Sequence, residues 1–410
     1  MTLAAVPVSL PDVSVSRADI ASVRGRLRSY QARYAPLFGR RELRGHARTY
    51  LRGLLSDEPR KSVERMVLRL HGADANAVRT QQLFLRQARW DDAPILAAHR
   101  ELVAATLGAD EGVLALDGTD MPKDGTESVG VARQYCGQLG KRANCQAAVF
   151  AAYLGRGAAA LVDRRLYLSR DWVSGASHAA RRQRTGVPAD IPFRTKPQLA
   201  LDMLTALVAE GSLPVRWVTC DEGFSVSHAF LDGVAALGLG YLAEVARNTH
   251  VWTTRPQQSG SPSRPVFSAP SQEVGAVADR LPRAAWRPFI LREGSKGPQT
   301  VLCVVLRVAA CRGLEPGPDV WLLLRRNPVT DELKSYLGHG PADMAPERLV
   351  WLAGLRWPIE QCFRDGKQLF GLGDYEGRSW QGWHRHATLV MLAHFFVVRE
   401  TLRLKKSTPA

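Results

Sequence analysis

The chain has 410 residues, more than one compact core holds, with 45% hydrophobic and 23% charged residues, the balance of a soluble globular protein of two to three domains. Its 55 Lys and Arg against 39 Asp and Glu give +16 and a pI near 10, favouring a polyanionic partner, nucleic acid before an anionic membrane surface. No apolar run approaches the roughly 20 residues that span a bilayer. The N-terminal MTLAAVPVSLPDVSVSRAD lacks the basic start of a signal peptide, and the six Cys form no Cys-x-x-Cys pair, so a cytoplasmic protein with reduced cysteines and no membrane partner is expected.

Residues 1 to about 105 read as helices. In ELRGHARTYLRGLL, Leu43, Ala47, Tyr50, Leu51 and Leu54 recur at three- and four-residue spacing. SVERMVLRLHG is a second amphipathic stretch, stopped by Gly72, and APILAAHRELVAATLG a third. Lys and Arg number 18 between Arg17 and Arg100, against 10 Asp and Glu in residues 1–101. Arg40, Arg41, Arg44, Arg48 and Arg52 cluster on one helix and its approach; guanidinium forks suit phosphate contacts better than solubility alone requires. A solvated helical face is the competing reading.

The pattern changes at residue 111. Val113–Leu116 is a buried-strand run ending at Asp117 and a Gly, with Asp120 expected beyond the strand end. SVGVARQYCGQLGKRANCQAAVFAAYLGRGAAALVDRRLYL predicts two or three antiparallel strands turning at Gly137, Gly140 and Gly155, with Lys141 and Arg142 in an exposed turn that offers a DNA contact. KPQLALDMLTALVAEG is a helix closed by Gly211. WVTCDEGF repeats the strand-then-acid device at Asp221, and SHAFLDGVAALGLG is a helix with Ser227 as N-cap. From 248 the alternation stops: QQSGSPSRPVFSAPS reads as a linker or exposed loop, VLCVVLRVAAC and DVWLLLRR as strands, and ELKSYLG as a third strand. Helices resume at APERLVWLAGLRW and continue through HATLVMLAHFFVVRETLRL.

In RWPIEQCFRDGK, Pro358 cannot donate within a helix, so one begins near 357 or 358 and Arg356 belongs to its approach. Glu360 and Lys367, seven apart, share a face, while Ile359 and Phe363 pack inward. Strand-end Asp117, strand-end Asp221 and helical Glu360 are the acids that two-metal phosphodiester chemistry needs. Two Mg²⁺ ions about 3.5–4 Å apart take a bridging carboxylate and further carboxylates, one ion activating the attacking oxygen and the other stabilising the leaving one.

With these residues in view, the sequence resembles the DDE transposases of bacterial insertion sequences, in the group whose third acid lies in a Tyr-Arg-Glu-Lys signature. The resemblance runs from about residue 35 to 400 and is strongest in LDGTDMPKDGTESVGVARQYCG, NCQAAVFAAY, LYLSRDW, TKPQLA, WVTCDEGF and RWPIEQCFRDGK with GLGDYEGRSWQGWHRH. It implies an α/β fold: a ribonuclease H-like core behind a helical N-terminal DNA-binding domain, with a β-rich insertion before the catalytic Glu helix. The boundaries are 1–105 for the DNA-binding domain, 106–247 for the first part of the core, 248–340 for the insertion, and 341–410 for the second part with C-terminal helices. It further implies Asp117, Asp221 and Glu360 as catalytic metal ligands for two Mg²⁺, with Mn²⁺ able to substitute, and Arg356 and Lys367 as phosphate contacts. The partners implied are double-stranded DNA, at element termini and target, and a second copy of the chain in the synaptic complex of a nucleoid-associated bacterial protein.

The signature Tyr is replaced by Ala353, with Trp351 and Trp357 as substitutes, and Asp120 competes with Asp117 for the first acid. His384, His386 and His394 offer phosphate contacts or caps before metal ligation. Trp380 and Trp383 offer core packing before base stacking. A DNA-binding regulator without catalysis, and a ribonuclease H-like nuclease that cuts without joining, are the competing functions.

Overall fold

The computed structural model describes residues 15–261, 264–294 and 297–407; the reading of residues 1–14 as a poor signal peptide lies outside them. Five helices come first: α1 (Arg17–Tyr34), α2 (Arg41–Leu54), α3 (Val63–His71), α4 (Ala75–Arg86) and α5 (Ala93–Leu107). Ser16, Ser62 and Asp74 cap α1, α3 and α4 by accepting the backbone N–H three residues on. Gly72 closes α3 at φ +74, as expected. Then come β1 (Val113–Pro122), β2 (Ala132–Cys136), β3 (Lys141–Gly155), β4 (Ala158–Tyr167), α6 (Arg170–Ser174), α7 (Ala179–Thr185) and α8 (Lys196–Glu210). The chain continues through β5 (Trp217–Cys220), α9 (Glu222–Ser225), α10 (His228–Ala236) and β6 (Gly240–Val245). A strand-rich stretch holds β7 (His250–Trp252), β8 (Gln258–Ser261), β9 (Arg264–Phe267), β10 (Gln272–Glu273), α11 (Val274–Arg280), β11 (Arg287–Gly294), β12 (Gly297–Arg312), β13 (Glu315–Arg326) and β14 (Leu333–His339). Three helices follow: α12 (Pro346–Gly354), α13 (Trp357–Gln368) and α14 (Trp380–Ser407). No helix among the described residues is long and apolar enough to cross a membrane.

These elements form two compact units. Among the described residues, the first comprises 110–116 and 215–357, and the second 15–109, 117–214 and 358–407. In the first unit β1 and β6 flank β5 in parallel, with Val113 opposite Trp217, Leu116 opposite Cys220 and Cys220 opposite Ala243. The strand-rich stretch joins the same ladder: β14 pairs antiparallel with β6, β13 with β14, and β12 with β13, β11 and β7. Its core is Val245, Val251, Val274, Val304, Val308, Val320, Leu322 and Leu324, the β-branched and leucine content that makes such runs pack as strands. The segment expected as a loop, 257–271, instead carries the β8–β9 hairpin. Its Ser, Gly and Pro mark turns, but backbone pairing forms the ladder, and its base is anchored by Gln257 N–H on Ser268 Oγ and by Phe267 against Trp252.

In the second unit β3 lies between β1 and β2, and β4 pairs antiparallel with β3. Residues 145–154 of β3 are buried without interruption. Arg156 and Gly157, at φ +46 and +77, make the two-residue turn between β3 and β4; both left-handed conformations match the strand twist. Helix α14 packs on α2, α4, α5 and β4. The Tyr30 hydroxyl of α1 donates to the Leu392 carbonyl (2.9 Å), and Arg26 Nε donates to both Glu400 oxygens (2.8 and 3.0 Å). The buried Arg385 of α14 lies over the Trp90 ring and donates to the Leu85 carbonyl in the last turn of α4 and to the Ala88 and Trp90 carbonyls beyond it, satisfying acceptors at that helix end.

Candidate functional site

Asp117 is the fifth residue of β1, and the strand does not end there. Asp-Gly-Thr-Asp reads locally as a turn, yet hydrogen bonding to β3 carries the strand on to Pro122, so Asp120 lies inside it rather than beyond its end. The pleat puts Asp117, Thr119 and Met121, all buried, on one face and Gly118, Asp120 and Pro122 on the other. Asp117 Oδ1 accepts the Gly118 N–H at 2.6 Å. Asp120 Oδ2 accepts the Gly137 N–H at 2.8 Å, and its Oδ1 faces Lys196 Nζ at 3.9 Å.

Lys196 opens α8 behind a Thr195–Gln198 capping box. A lysine in the first turn opposes the helix dipole, which makes it readable in the sequence as an anomaly, though it was not singled out there. Lys367 closes α13. Burial lowers the pKa of its ammonium, opposed first by the charge of Asp120 and then by Cys136 and Asp117. Two turns earlier on the same helix is Glu360, half-buried. Ile359 and Phe363 are buried, with Phe363 edge-on to Phe150 of β3, as the helical spacing implied.

In the first unit, Asp221 follows β5 as the N-cap of α9 and accepts the Gly223 N–H at 3.0 Å. Burial raises its carboxyl pKa, while Arg356 and the N–H groups of Gly223 and Phe224 pull it down and Glu244 adds to the rise. Arg356 sits between α12 and α13, as Pro358 dictates, and its Nε lies 3.2 Å from Glu244 Oε2. Ala353 is buried in α12, and Trp351 stacks beneath the Arg348 guanidinium at 4.2 Å.

Among the described residues, no group of three or more His, Cys, Asp or Glu side chains is placed to hold a metal ion. The donor chemistry still suits one: carboxylate oxygens are what Mg²⁺ takes, commonly one or two of them with water and substrate phosphate completing the shell.

The remaining candidates separate by burial. Arg40, Arg41, Arg48 and Arg52 are exposed and Arg44 is half-buried. Lys141 and Arg142 are exposed at the start of β3, just past the turn in which they were expected. His384 and His386 are engaged by the Trp380 carbonyl and by Tyr50 and the Gly371 carbonyl respectively, and burial lowers the pKa of His384 to about 3 and of His386 and His394 to about 4. His386 and His394 are buried and His384 is half-buried, and neutral rings carry no charge for the phosphate role expected of them. Trp383 is buried against Phe150, the packing role.

The sequence model for the DDE superfamily of endonucleases matches residues 33–298, more than half of the chain. The chain belongs to the DDE superfamily of endonucleases. The match takes in Asp117 and Asp221, and Glu360 lies beyond it. DDE endonucleases generally depend on a divalent metal. Among solved structures, this DDE endonuclease aligns with a cryo-EM structure of a piggyBac transposase synaptic complex with hairpin DNA, at 11% identity and a TM-score of 0.43, over 90% of this chain and 68% of that one. No curated protein matches the chain.

Proposed function

We propose that this DDE endonuclease is a DNA transposase of the insertion-sequence type, acting as a homodimer on nucleoid DNA in the cytoplasm. It binds the terminal inverted repeats of its element, hydrolyses a phosphodiester at each end and joins the freed 3′-hydroxyl to target DNA. The observation that carries this reading is the parallel register of β1 and β5, in which Leu116 pairs with Cys220. The next residues in the chain are Asp117 and Asp221, which the sequence reading gives as the first two acids of the DDE set, and both fall within the range of the family match. Glu360 is the third.

Two Mg²⁺ ions, or Mn²⁺ in their place, supply Lewis-acid activation of the attacking oxygen and neutralise the leaving one when bound. The protein's own groups do the rest. Asp117, Asp221 and Glu360 hold cation charge. Lys367, whose ammonium is partly desolvated by burial, is stabilised as a cation beside a substrate phosphate, and Lys196 adds a second ammonium; Arg356 contacts the flanking phosphates.

The test uses a plasmid carrying the coding region with its flanking DNA, a target plasmid and Mg²⁺. Excision and strand-transfer products are expected from the wild type, and neither from Asp117→Asn, Asp221→Asn or Glu360→Gln, which retain end binding. Cleavage without joining favours a plain nuclease, and binding without cleavage a regulator. Wild-type cleavage by all three variants overturns the assignment.

A further inference from the structure

Five arginines of α2 and its approach looked like one phosphate-binding stripe in the sequence, and the fold divides them. Arg40 and Arg41 sit at the start of α2, and Arg44 has its Nε buried without a hydrogen-bond partner. Arg48 and Arg52 instead face α1, where Arg24 and Arg28 meet them across a cleft of about 670 Å³ whose other lining residues are Leu27, Gln31 and Ala32. The α1 contributions fall at i, i+3, i+4, i+7 and i+8, a single helical face, and the α2 pair at i and i+4.

We propose that this cleft grips the phosphodiester backbone of duplex DNA through Arg24, Arg28, Arg48 and Arg52. The proposal rests on the DNA-processing function above and deepens it by naming a contact surface. Its footing is a contrast within α1. Arg26 is held by Glu400, and Arg403 of α14 pairs with Asp19 of α1 at 2.8 Å, so the face of α1 toward α14 is charge-balanced. The four cleft arginines are exposed, and among the described residues none has an acidic partner. Four unneutralised guanidiniums lining one hollow repel one another, and a polyanion in the hollow relieves that repulsion with bidentate, charge-assisted bonds. Within each helix the paired arginines are separated by roughly 6 Å of rise, close to two phosphate steps of about 3.4 Å each along one strand of the duplex. Contacts to phosphate oxygens carry no sequence information, so a grip made by these four guanidiniums on the backbone is independent of sequence.

The test is fluorescence anisotropy of full-length protein with a labelled random-sequence duplex, titrated between about 50 and 200 mM salt. Each lost phosphate contact lowers the log–log salt slope by about 0.9, so the quadruple Arg24→Gln, Arg28→Gln, Arg48→Gln, Arg52→Gln variant loses up to about 3.6 units and Arg24→Gln, Arg28→Gln about half that. Quadruple replacement by Lys retains most of the slope. Wild-type slopes in either Gln variant, with circular dichroism unchanged, overturn the cleft assignment alone. If the double variant keeps its slope, the proposal fails whether or not the quadruple variant folds. A wild type that binds no DNA overturns the proposed function together with the cleft. Binding lost only for duplexes of one sequence overturns the backbone grip.

Discussion

Arg356 Nε lies 3.2 Å from Glu244 Oε2, and Lys334 Nζ lies 3.1 Å from the other oxygen of the same carboxylate. One acid on β6 therefore anchors two cations, and its partner Arg356 is also the cation that draws the Asp221 carboxyl downward. The two members of the pair act on Asp221 with opposite signs. Burial has already raised that carboxyl, so it protonates at a higher pH than an ordinary aspartate does.

Arg356→Ala removes the opposing cation and shifts the acid limb of the cleavage pH profile to higher pH. Glu244→Gln removes the like charge and shifts it to lower pH. Parallel shifts in the two variants would mean that Asp221 does not control that limb; single-turnover cleavage at several pH values reads the result.

Asp120→Asn removes the carboxylate that most supports the Lys367 ammonium and that faces Lys196. Its expected effect is a roughly tenfold slower cleavage, the scale of one pKa unit, with the alkaline limb moved to lower pH because Lys367 then loses its proton more readily. DNA affinity stays near wild type. A loss as deep as that of Asp117→Asn would instead make Asp120 the first acid.

His99, His386 and His394 are buried with pKa values lowered from 6.5 to about 4, chiefly by desolvation. A histidine whose folded pKa is depressed stabilises the fold fully above its unfolded value and loses that contribution as pH falls. Thermal melts should therefore show stability declining between about pH 6.5 and 4. A flat profile across that window would mean that these rings reach solvent in the folded chain.

Arg385→Met leaves the Leu85, Ala88 and Trp90 carbonyls without their shared donor. Buried acceptors left unmet cost about 1–3 kcal/mol each, and partial relaxation brings the expected loss to roughly 3 kcal/mol. Urea denaturation followed by far-ultraviolet circular dichroism measures it. An unchanged midpoint would show that water replaces the donor.

Local chemistry was legible wherever one residue type decides a conformation. Gly72 and Gly211 end their helices at positive φ, Ser227 caps its own, and Pro358 places the start of α13 at Trp357. Legibility failed where partners distant in sequence decide. Helix α1 showed no usable periodicity because it buries only Tyr30 and Tyr34, and it is held instead by α14. β1 runs past its Asp-Gly because β3 offers backbone partners, and β8–β9 pairs through a composition that otherwise signals loops. At the candidate site the Arg356–Glu244 and Asp120–Lys196 pairings are properties of the folded chain, invisible to spacing.

The attachment of α1 to α14 also has a temporal meaning. Arg26 and Tyr30 wait for Glu400 and Leu392, partners more than 360 positions later. At ribosomal rates of about 5–20 residues per second, the interval is roughly 20–70 s. During that time the growing polypeptide can display its arginine-rich first helices but cannot brace them, nor can it hold α13, which carries Glu360. A translation product broken off early thus lacks both the brace and the helix that carries Glu360.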